Sequence, residues 1–202
     1  MPVRQKGFSL VELLISLLLG SLLLAMVISL YVTCVSGGAV SLKYSRLRTD
    51  LQSIISLMET DIRRAGYGGS AFMVGSGASK TVDSSENCIV FYYDHNKSGT
   101  IDSANKMGFR WDKEKQAIAY GSGVDPLAAN CYASDNGHWQ AISDNQFIKI
   151  TALTFAEHQA SNATATMTMR SVQISITGEL ASDSTASHSL STRVQVRNLE
   201  FN

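Results

Sequence analysis

The apolar residues of this 202-residue chain are concentrated near its N-terminus. Residues 8–35 form a predominantly apolar stretch in which Glu12 is the only charged side chain. As a helix with a rise of ~1.5 Å per residue, this stretch would be roughly 42 Å long, more than the ~30 Å hydrocarbon core of a bilayer requires. We therefore predict a transmembrane helix over residues 8–35, part of which extends beyond the bilayer.

A second pattern follows Gly37 and Gly38, which we interpret as a flexible point in the chain. Apolar residues recur there at intervals of three and four, the spacing that places side chains along one face of a helix. The residues of this apolar stripe are Leu47, Leu51, Ile54, Ile55, Met58, Ile62 and Ala65. The pattern predicts an amphipathic helix over residues 39–66 that docks on the chain's own sheet, and the glycine-rich segment beginning at Gly66 ends it.

From residue 88 onward, short runs of β-branched and aromatic residues alternate with polar turns, and later runs show a period of two. The runs are CIVFYYD, MGFRW, QAIAY, FIKITALTFAEH, TMTMRSVQISITGEL and HSLSTRVQVRNLEF. They predict strands, whereas residues 76–86 and 181–187 are polar enough to be exposed loops. A long helix followed by strands predicts an α+β fold, in which the helix packs on an antiparallel β-sheet and residues 36–202 form a globular domain.

The basic residues around the apolar stretch predict its orientation in a membrane. Arg4 and Lys6 precede the stretch, and the next basic residue is Lys43. Because basic residues favour the cytoplasmic side, the N-terminus is expected in the cytoplasm and the rest of the chain outside it. No A-x-A-like site follows the stretch, so cleavage after it is not predicted.

Composition favours a folded chain without a bulk preference for nucleic acid. Hydrophobic residues make up 45% of the sequence, which is enough for a core, and 17 basic residues balance 17 acidic ones. A neutral chain of this kind is not expected to coat nucleic acid. Cys34 lies near the end of the apolar stretch, whereas Cys88 and Cys131 lie in the exported part, the right number and compartment for one disulfide.

Residues 6–14, KGFSLVELL, join a short basic leader to the apolar stretch and place one carboxylate five residues after a glycine. This motif resembles the prepilin signal of type IV pilins and of type II secretion pseudopilins. In those families a membrane peptidase cuts after the glycine and methylates the new N-terminal residue. The resemblance implies a leader peptide over residues 1–7, cleavage between Gly7 and Phe8, and N-methylation of Phe8.

Glu12 needs a partner on physical grounds alone, because an ionised carboxylate inside a bilayer costs at least a few kcal/mol. The resemblance implies that Glu12 pairs with the N-terminal amine of a neighbouring subunit, which offsets the burial and sets the axial register of a filament. The alternative is that Glu12 lies at the cytoplasmic interface and reaches water.

A second motif, DIRRAGY over residues 61–67, resembles the helix ending of PilW-type minor pilins and J-type pseudopilins. The order of long helix, CIVFYYD run, acidic loop, GFR strand, second cysteine and terminal RVQVRN strand is similar to that of the enterobacterial prepilin-peptidase-dependent protein B family, within the PilW type. This resemblance implies that Cys88 pairs with Cys131.

The segment that follows CIVFYY resembles the first part of a calcium-binding loop. Oxygen-bearing side chains stand at alternate loop positions, with Gly99 at the sixth, where such loops turn sharply. The candidate calcium ligands are Asp94, Asn96, Ser98, Thr100 (through its carbonyl) and Asp102. Asn105 replaces the glutamate that such a loop needs at position 12, and Lys97 adds an opposing charge. The alternative is a metal-free polar turn, which the same residue types favour.

The resemblance implies a minor pilin that primes or caps a type IV pilus and requires no cofactor. Its implied partners are other minor pilins, the major pilin, prepilin peptidase and the inner-membrane assembly platform. The protein would be held in the inner membrane by one span, with its C-terminal domain in the periplasm, and would later be part of the extracellular pilus.

Two other functions remain open. One is a J-type pseudopilin of a type II secretion system, and the other is a tip adhesin or DNA-capture module in which aromatic residues stack on the ligand. The candidate stacking residues are Trp111, Tyr120, Tyr132 and Trp139, although core packing also uses such residues. The sequence contains no H-E-x-x-H, G-x-S-x-G or Walker motif, which favours a structural protein over an enzyme.

Overall fold

The computed structural model describes residues 7–68, 72, 81–125, 127–164, 167–198 and 200–201. Residues 1–6 of the expected leader, with Arg4 and Lys6, lie outside these ranges. The chain forms two compact units, Met1–Lys43 and Tyr44–Asn202. The elements are helix α1 (Leu10–Arg64) and strands β1 (Val82–Ser85), β2 (Cys88–Tyr92), β3 (Lys106–Asp112), β4 (Ala117–Ser122), β5 (His138–Ala141), β6 (Ile148–Ser161), β7 (Met167–Leu180), β8 (Asp183–Gln195) and β9 (Glu200–Phe201).

Helix α1 is continuous from Leu10 to Arg64, so it passes through Gly37 and Gly38 without a break. Two glycines cost a helix about 1 kcal/mol each relative to alanine, but helical residues on both sides propagate through them cooperatively. The flexible point that the glycine pair suggested is therefore not a break in the helix. Among the described residues, α1 is the helix that is long and apolar enough to cross a bilayer, and its side chains up to Arg46 are exposed in the isolated chain.

The apolar stripe of α1 faces the core, as the spacing predicted. All seven of its residues are buried, from Leu47 to Ala65. They belong to one hydrophobic cluster with residues from both sheets of the protein. The strand residues of that cluster include Val82, Ile89, Phe91, Phe109, Ile118, Ile150, Leu153, Val172, Ile174 and Val194. The periodicity of the helix therefore fixes which of its faces the strands cover.

The strands form two antiparallel sheets, which confirms the α+β class. Strands β1 to β5 form one sheet in chain order, and strands β6, β7 and β8 form the other, with β9 paired to β7. One antiparallel sheet was expected. Backbone hydrogen bonds connect the two sheets, from Ile150 N to the Gln116 carbonyl and from Phe155 N to the Glu86 carbonyl.

Two segments that were expected to be exposed loops contain strands. Within 76–86, residues Val82–Ser85 form β1, and Val82 is fully buried. Residues 183–187 form the first part of β8, where Ser187 pairs with Glu179. Both predictions were wrong because polarity reports which side chains face water, whereas backbone pairing decides which residues form a strand. Residues 76–80 lie outside the described ranges.

Three hydrogen bonds connect the end of α1 to other segments of the chain. Gly66 N donates to the Tyr92 carbonyl over 2.8 Å, and Arg197 N donates to the Arg63 carbonyl over 3.2 Å. Asn198 Nδ2 donates to the Ala65 carbonyl over 2.8 Å. Gly66 has a φ of +74°, and a Cβ there would lie 2.7 Å from Thr81 Cγ2. A glycine is therefore required both for the backbone conformation and for the close approach.

Asp61 is the acidic residue of α1 that is buried against the core. Removal from water raises the pKa of Asp61 above its usual value, although Arg64, the Tyr93 hydroxyl and His95 all act in the opposite direction. The Arg64 guanidinium lies 4.0 Å from Asp61 Oδ1, and the Tyr93 hydroxyl donates to the same oxygen over 3.5 Å. These long contacts only partly compensate for the buried charge.

We expect the Asp61→Asn substitution to increase the free energy of unfolding at neutral pH. Because the pKa of Asp61 is higher in the folded state, its ionised form destabilises the fold, and this cost disappears as the pH falls below the unfolded value of 3.8. The gain should therefore be largest near neutral pH and should shrink towards about pH 4. Urea unfolding of the detergent-solubilised chain over this range measures it.

The matched control is Asp135→Asn, which changes the same groups on an exposed loop. We expect it to leave the free energy of unfolding nearly unchanged. An Asp61→Asn variant that is less stable than the wild type near neutral pH would show that its contacts outweigh its burial.

Candidate processing site, disulfide and calcium loop

The candidate cleavage bond lies just before α1. Gly7 and Phe8 are exposed and non-helical, and nothing lies within 4 Å of the position that a Cβ on Gly7 would occupy. The described residues therefore leave the side-chain position of Gly7 open. Cleavage and methylation at these two residues remain predictions from the motif.

Glu12 lies in the first turn of α1 and contacts the residue that begins the helix. The Ser9 carbonyl accepts from Leu13 N over 3.1 Å, which makes Ser9 the N-cap. Glu12 Oε2 accepts from Ser9 N over 3.5 Å, the contact that a glutamate at the third helical position makes in a capping box. This bond is at the long limit for a hydrogen bond, so within the described part of the chain the Glu12 carboxylate accepts from only a weak donor.

Cys88 and Cys131 form a disulfide with a Cα–Cα distance of 6.5 Å. Both cysteines are fully buried in a small cluster that contains Val90, Val124 and Ala128, with Trp139 packed against it. This cluster buries Cys88 and Val90 of β2, whereas Ile89 and Phe91 of the same strand belong to the main core. The disulfide thus holds the segment after β4 against the first sheet. Cys34 is exposed and free.

The aromatic residues that were considered for ligand stacking make contacts within the domain. The Arg110 guanidinium lies 4.4 Å from the Trp139 ring centroid and 5.4 Å from that of Tyr132, and it donates to the Cys131 carbonyl over 2.6 Å. Trp111 Nε1 donates to the Ile150 carbonyl over 3.1 Å. Tyr120 packs against Phe109 with ring centroids 5.3 Å apart. Burial raises the pKa of Tyr120 to about 12.

The structure brings the candidate calcium ligands together in the exposed loop that follows β2. Asp94 Oδ2 accepts from Gly99 N over 3.2 Å. Asp102 Oδ2 accepts from Asn96 Nδ2 over 2.9 Å and from Ser98 Oγ over 3.2 Å. The hydrogen bond from Asn96 is the main cause that lowers the pKa of Asp102. One oxygen of each carboxylate therefore accepts a hydrogen bond from the loop itself, whereas Asp94 Oδ1 is buried with no hydrogen-bond partner among the described residues.

Asn105 is the residue of this loop that the sequence pattern did not identify as functional. It is fully buried, and its amide nitrogen lies within 3.2 Å of the oxygens from loop positions 3, 5 and 7. Those oxygens accept from an amide donor, and the described residues contain no group of three or more His, Cys, Asp or Glu side chains suited to a metal. Asn105 was recognised only as a substitute for the expected glutamate.

In this arrangement the loop does not fit a calcium ion, because the position that its oxygens surround holds a nitrogen with hydrogens.

An apolar N-terminal helix that follows a prepilin signal, and whose C-terminal half packs on antiparallel sheets, defines a type IV pilin-like protein. Comparison with protein families agrees with this class. Residues 3–28 match the prokaryotic N-terminal methylation motif, and residues 40–196 match the model of prepilin peptidase-dependent protein B. The chain belongs to the prepilin peptidase-dependent protein B family. No curated protein and no solved structure matches the chain.

These matches establish the context in which the protein works. The methylation motif implies processing by prepilin peptidase, and the family implies a role in pilus assembly. The apolar helix is consistent with an inner-membrane anchor for such a precursor. The family is one of structural subunits.

We expect loss of the disulfide, in a Cys88→Ser/Cys131→Ser variant, to reduce the free energy of unfolding by about 4 kcal/mol at most, because the unfolded chain regains the entropy of a loop spanning 43 positions. Denaturant unfolding of the detergent-solubilised protein measures this loss. Mass mapping without reduction should recover the peptides of Cys88 and Cys131 joined together.

The matched control is Cys34→Ser, which removes an exposed free thiol. It should leave the unfolding midpoint unchanged. Equal stability of the double serine variant and the wild type would contradict a structural role for the disulfide.

Proposed function

We propose that this protein is a minor pilin that primes or caps assembly of a type IV pilus and has no catalytic activity of its own. The observation that carries the proposal is the placement of Glu12. It is the only charged side chain of residues 8–35 and lies in the first turn of α1, next to the candidate cleavage bond. A filament subunit needs a polar group of this kind in its apolar packing segment.

The energetics of Glu12 favour a partner outside the chain. A buried carboxylate requires strong donors or an opposite charge, and among residues 7–68 the donor to Glu12 is Ser9 N, over 3.5 Å. Cleavage after Gly7 would create a positively charged amine at Phe8. The amine of one subunit can compensate the Glu12 carboxylate of another, which ties assembly to prior processing.

The membrane orientation completes the proposal. Arg4 and Lys6 before the apolar stretch favour a cytoplasmic N-terminus, with the globular unit in the periplasm until the subunit enters the extracellular pilus. Cys88 and Cys131 support an oxidising compartment for that unit, because disulfides persist there. The proposed partners are other minor pilins, the major pilin and the inner-membrane assembly platform.

We expect Glu12→Ala to abolish incorporation into pili while membrane insertion and leader removal continue. Removing one partner of a buried ion pair costs about 3–5 kcal/mol, which lowers incorporation by about a hundredfold or more. The measurement compares the amount of the subunit in sheared pili with the amount in the membrane fraction. Leader removal is followed by the mass of the membrane-bound protein.

Two control variants test whether the loss of incorporation is specific to Glu12. Glu114→Ala removes an exposed glutamate of the globular unit and should incorporate normally. Gly7→Leu should keep the leader and accumulate as a full-length membrane protein. Normal incorporation of Glu12→Ala would refute the assembly role of Glu12.

A pocket at the end of α1 favours DNA capture as a second candidate function. Its volume is 360 Å³, and its lining combines arginines with tyrosines, the residue types that hold phosphates and stack on bases. It is lined by Arg63, Arg64, Tyr67, Tyr93, Asp94, His95, Arg197 and Asn198. Tyr67 is the most accessible aromatic residue here, with 65% of its surface exposed.

For this second function we expect salt-dependent binding of single-stranded DNA by the solubilised chain. The double variant Arg63→Glu/Arg197→Glu should weaken binding at least tenfold, because two phosphate contacts become repulsive. Arg48→Glu, on an exposed face of α1, is the matched control for the loss of positive charge. Equal affinities of the three proteins, measured by fluorescence anisotropy, would exclude this pocket as the DNA site.

A further inference from the structure

The loop after β2 is organised around the side chain of Asn105. This residue ends the short 3₁₀ helix Ser103–Asn105 and is fully buried, although most of the loop before it is exposed. Asp102 caps the same short helix by accepting from Asn105 N over 3.2 Å. A polar side chain can be buried at this position only if its hydrogen-bonding groups are satisfied.

Both ends of the Asn105 amide have partners in the loop. Its nitrogen lies 3.0 Å from Asn96 Oδ1, 3.2 Å from Ser98 Oγ and 2.8 Å from the Thr100 carbonyl. Its oxygen accepts from His95 N over 2.7 Å and from Asn96 N over 3.3 Å. The three oxygens around the nitrogen are those of loop positions 3, 5 and 7.

In a calcium-binding loop the oxygens of these same positions converge on the ion. We propose that the Asn105 amide nitrogen takes the place of that ion, so that residues 94–105 are ordered by an internal hydrogen-bond donor and fold without calcium. This role of the amide nitrogen explains why an asparagine stands at position 12 of the loop. A glutamate there would add two acceptor oxygens, whereas an asparagine adds the donor that the converging oxygens require.

The sharp turn of the loop is consistent with an internally fixed structure. Lys97 has a φ of +59° and Gly99 a φ of +70°, so two of the three consecutive residues 97–99 adopt the left-handed conformation. A lysine in this region is strained and persists only where surrounding contacts hold it. The contacts that Asn105 makes on both sides of Lys97 provide that restraint.

The test is thermal unfolding of the detergent-solubilised full chain in millimolar calcium chloride and in chelator. The wild type should have the same Tm in both conditions. Asn105→Asp is nearly isosteric but replaces the donor with an acceptor and places a third carboxylate near Asp94 and Asp102. In chelator its Tm should fall by roughly 3 °C or more, and calcium should restore much of the loss, because the converging oxygens then surround a cation.

Asn130→Asp is the matched control, since it makes the same chemical change at an exposed asparagine outside the loop. Its Tm should follow that of the wild type in both conditions. If Asn105→Asp does not fold in chelator, hydrogen exchange of the wild type decides the question. The His95 backbone N–H should be equally protected with and without calcium.

Three results would overturn the proposal. The first is a wild-type Tm, or a His95 protection, that rises with calcium. The second is an Asn105→Asp variant as stable as the wild type in chelator. The third is an unstable Asn105→Asp variant that calcium does not restore, since the amide would then not stand at a cation position. None of these results bears on Glu12, so this proposal and the assembly role fail separately.

Discussion

The fold depends on the burial of one apolar stripe of α1 by two sheets that do not continue each other. Leu51, Met58 and Ile62 are fully buried in a single cluster with residues of both sheets. Burying a side chain of this size stabilises the fold by about 1.5–3 kcal/mol, so the burial of the stripe is a large contribution to the stability of the fold. Without this helix each sheet would expose its apolar face. The same element that provides the membrane segment is therefore also needed to complete the core.

The end of α1 explains why the motif over residues 61–67 combines charged residues with glycine. Gly66 allows the chain to turn against Thr81, where no side chain would fit, while the carbonyls of Arg63 and Ala65 accept from residues 197 and 198. The last part of the described chain thus closes on the end of the first helix. The docking of the helix uses the glycine and the apolar residues, and Asp61 is buried with them, whereas Arg63 and Arg64 remain exposed.

Much of this architecture was predictable because it depends on periodicity, which a single sequence contains. The stripe of α1 and the strands around Val172 and Val194 follow from spacings of 3.6 and two. The division into two sheets was not predictable, because it depends on which strands pair over long separations. Strand β1 was missed for the same reason: Asp83 and Ser84 are polar, and only their pairing with Val90 and Ile89 makes them a strand. The role of Asn105 was hidden because its partners lie five to ten positions earlier in the chain.

Glu12 and Asn105 differ in how well the chain itself satisfies their polar side chains. This difference is why we propose an assembly role for Glu12 and a structural role for Asn105. Each is a polar residue in a place where unmet hydrogen-bonding capacity is costly. Asn105 finds donors and acceptors for both ends of its amide within its own loop, so its chemistry is complete within one subunit. Among the described residues, the hydrogen-bond donor to the Glu12 carboxylate is Ser9 N over 3.5 Å, in a helix apolar enough to cross a bilayer. This difference in compensation is consistent with the proposal that the Glu12 carboxylate pairs with the amine of a second molecule.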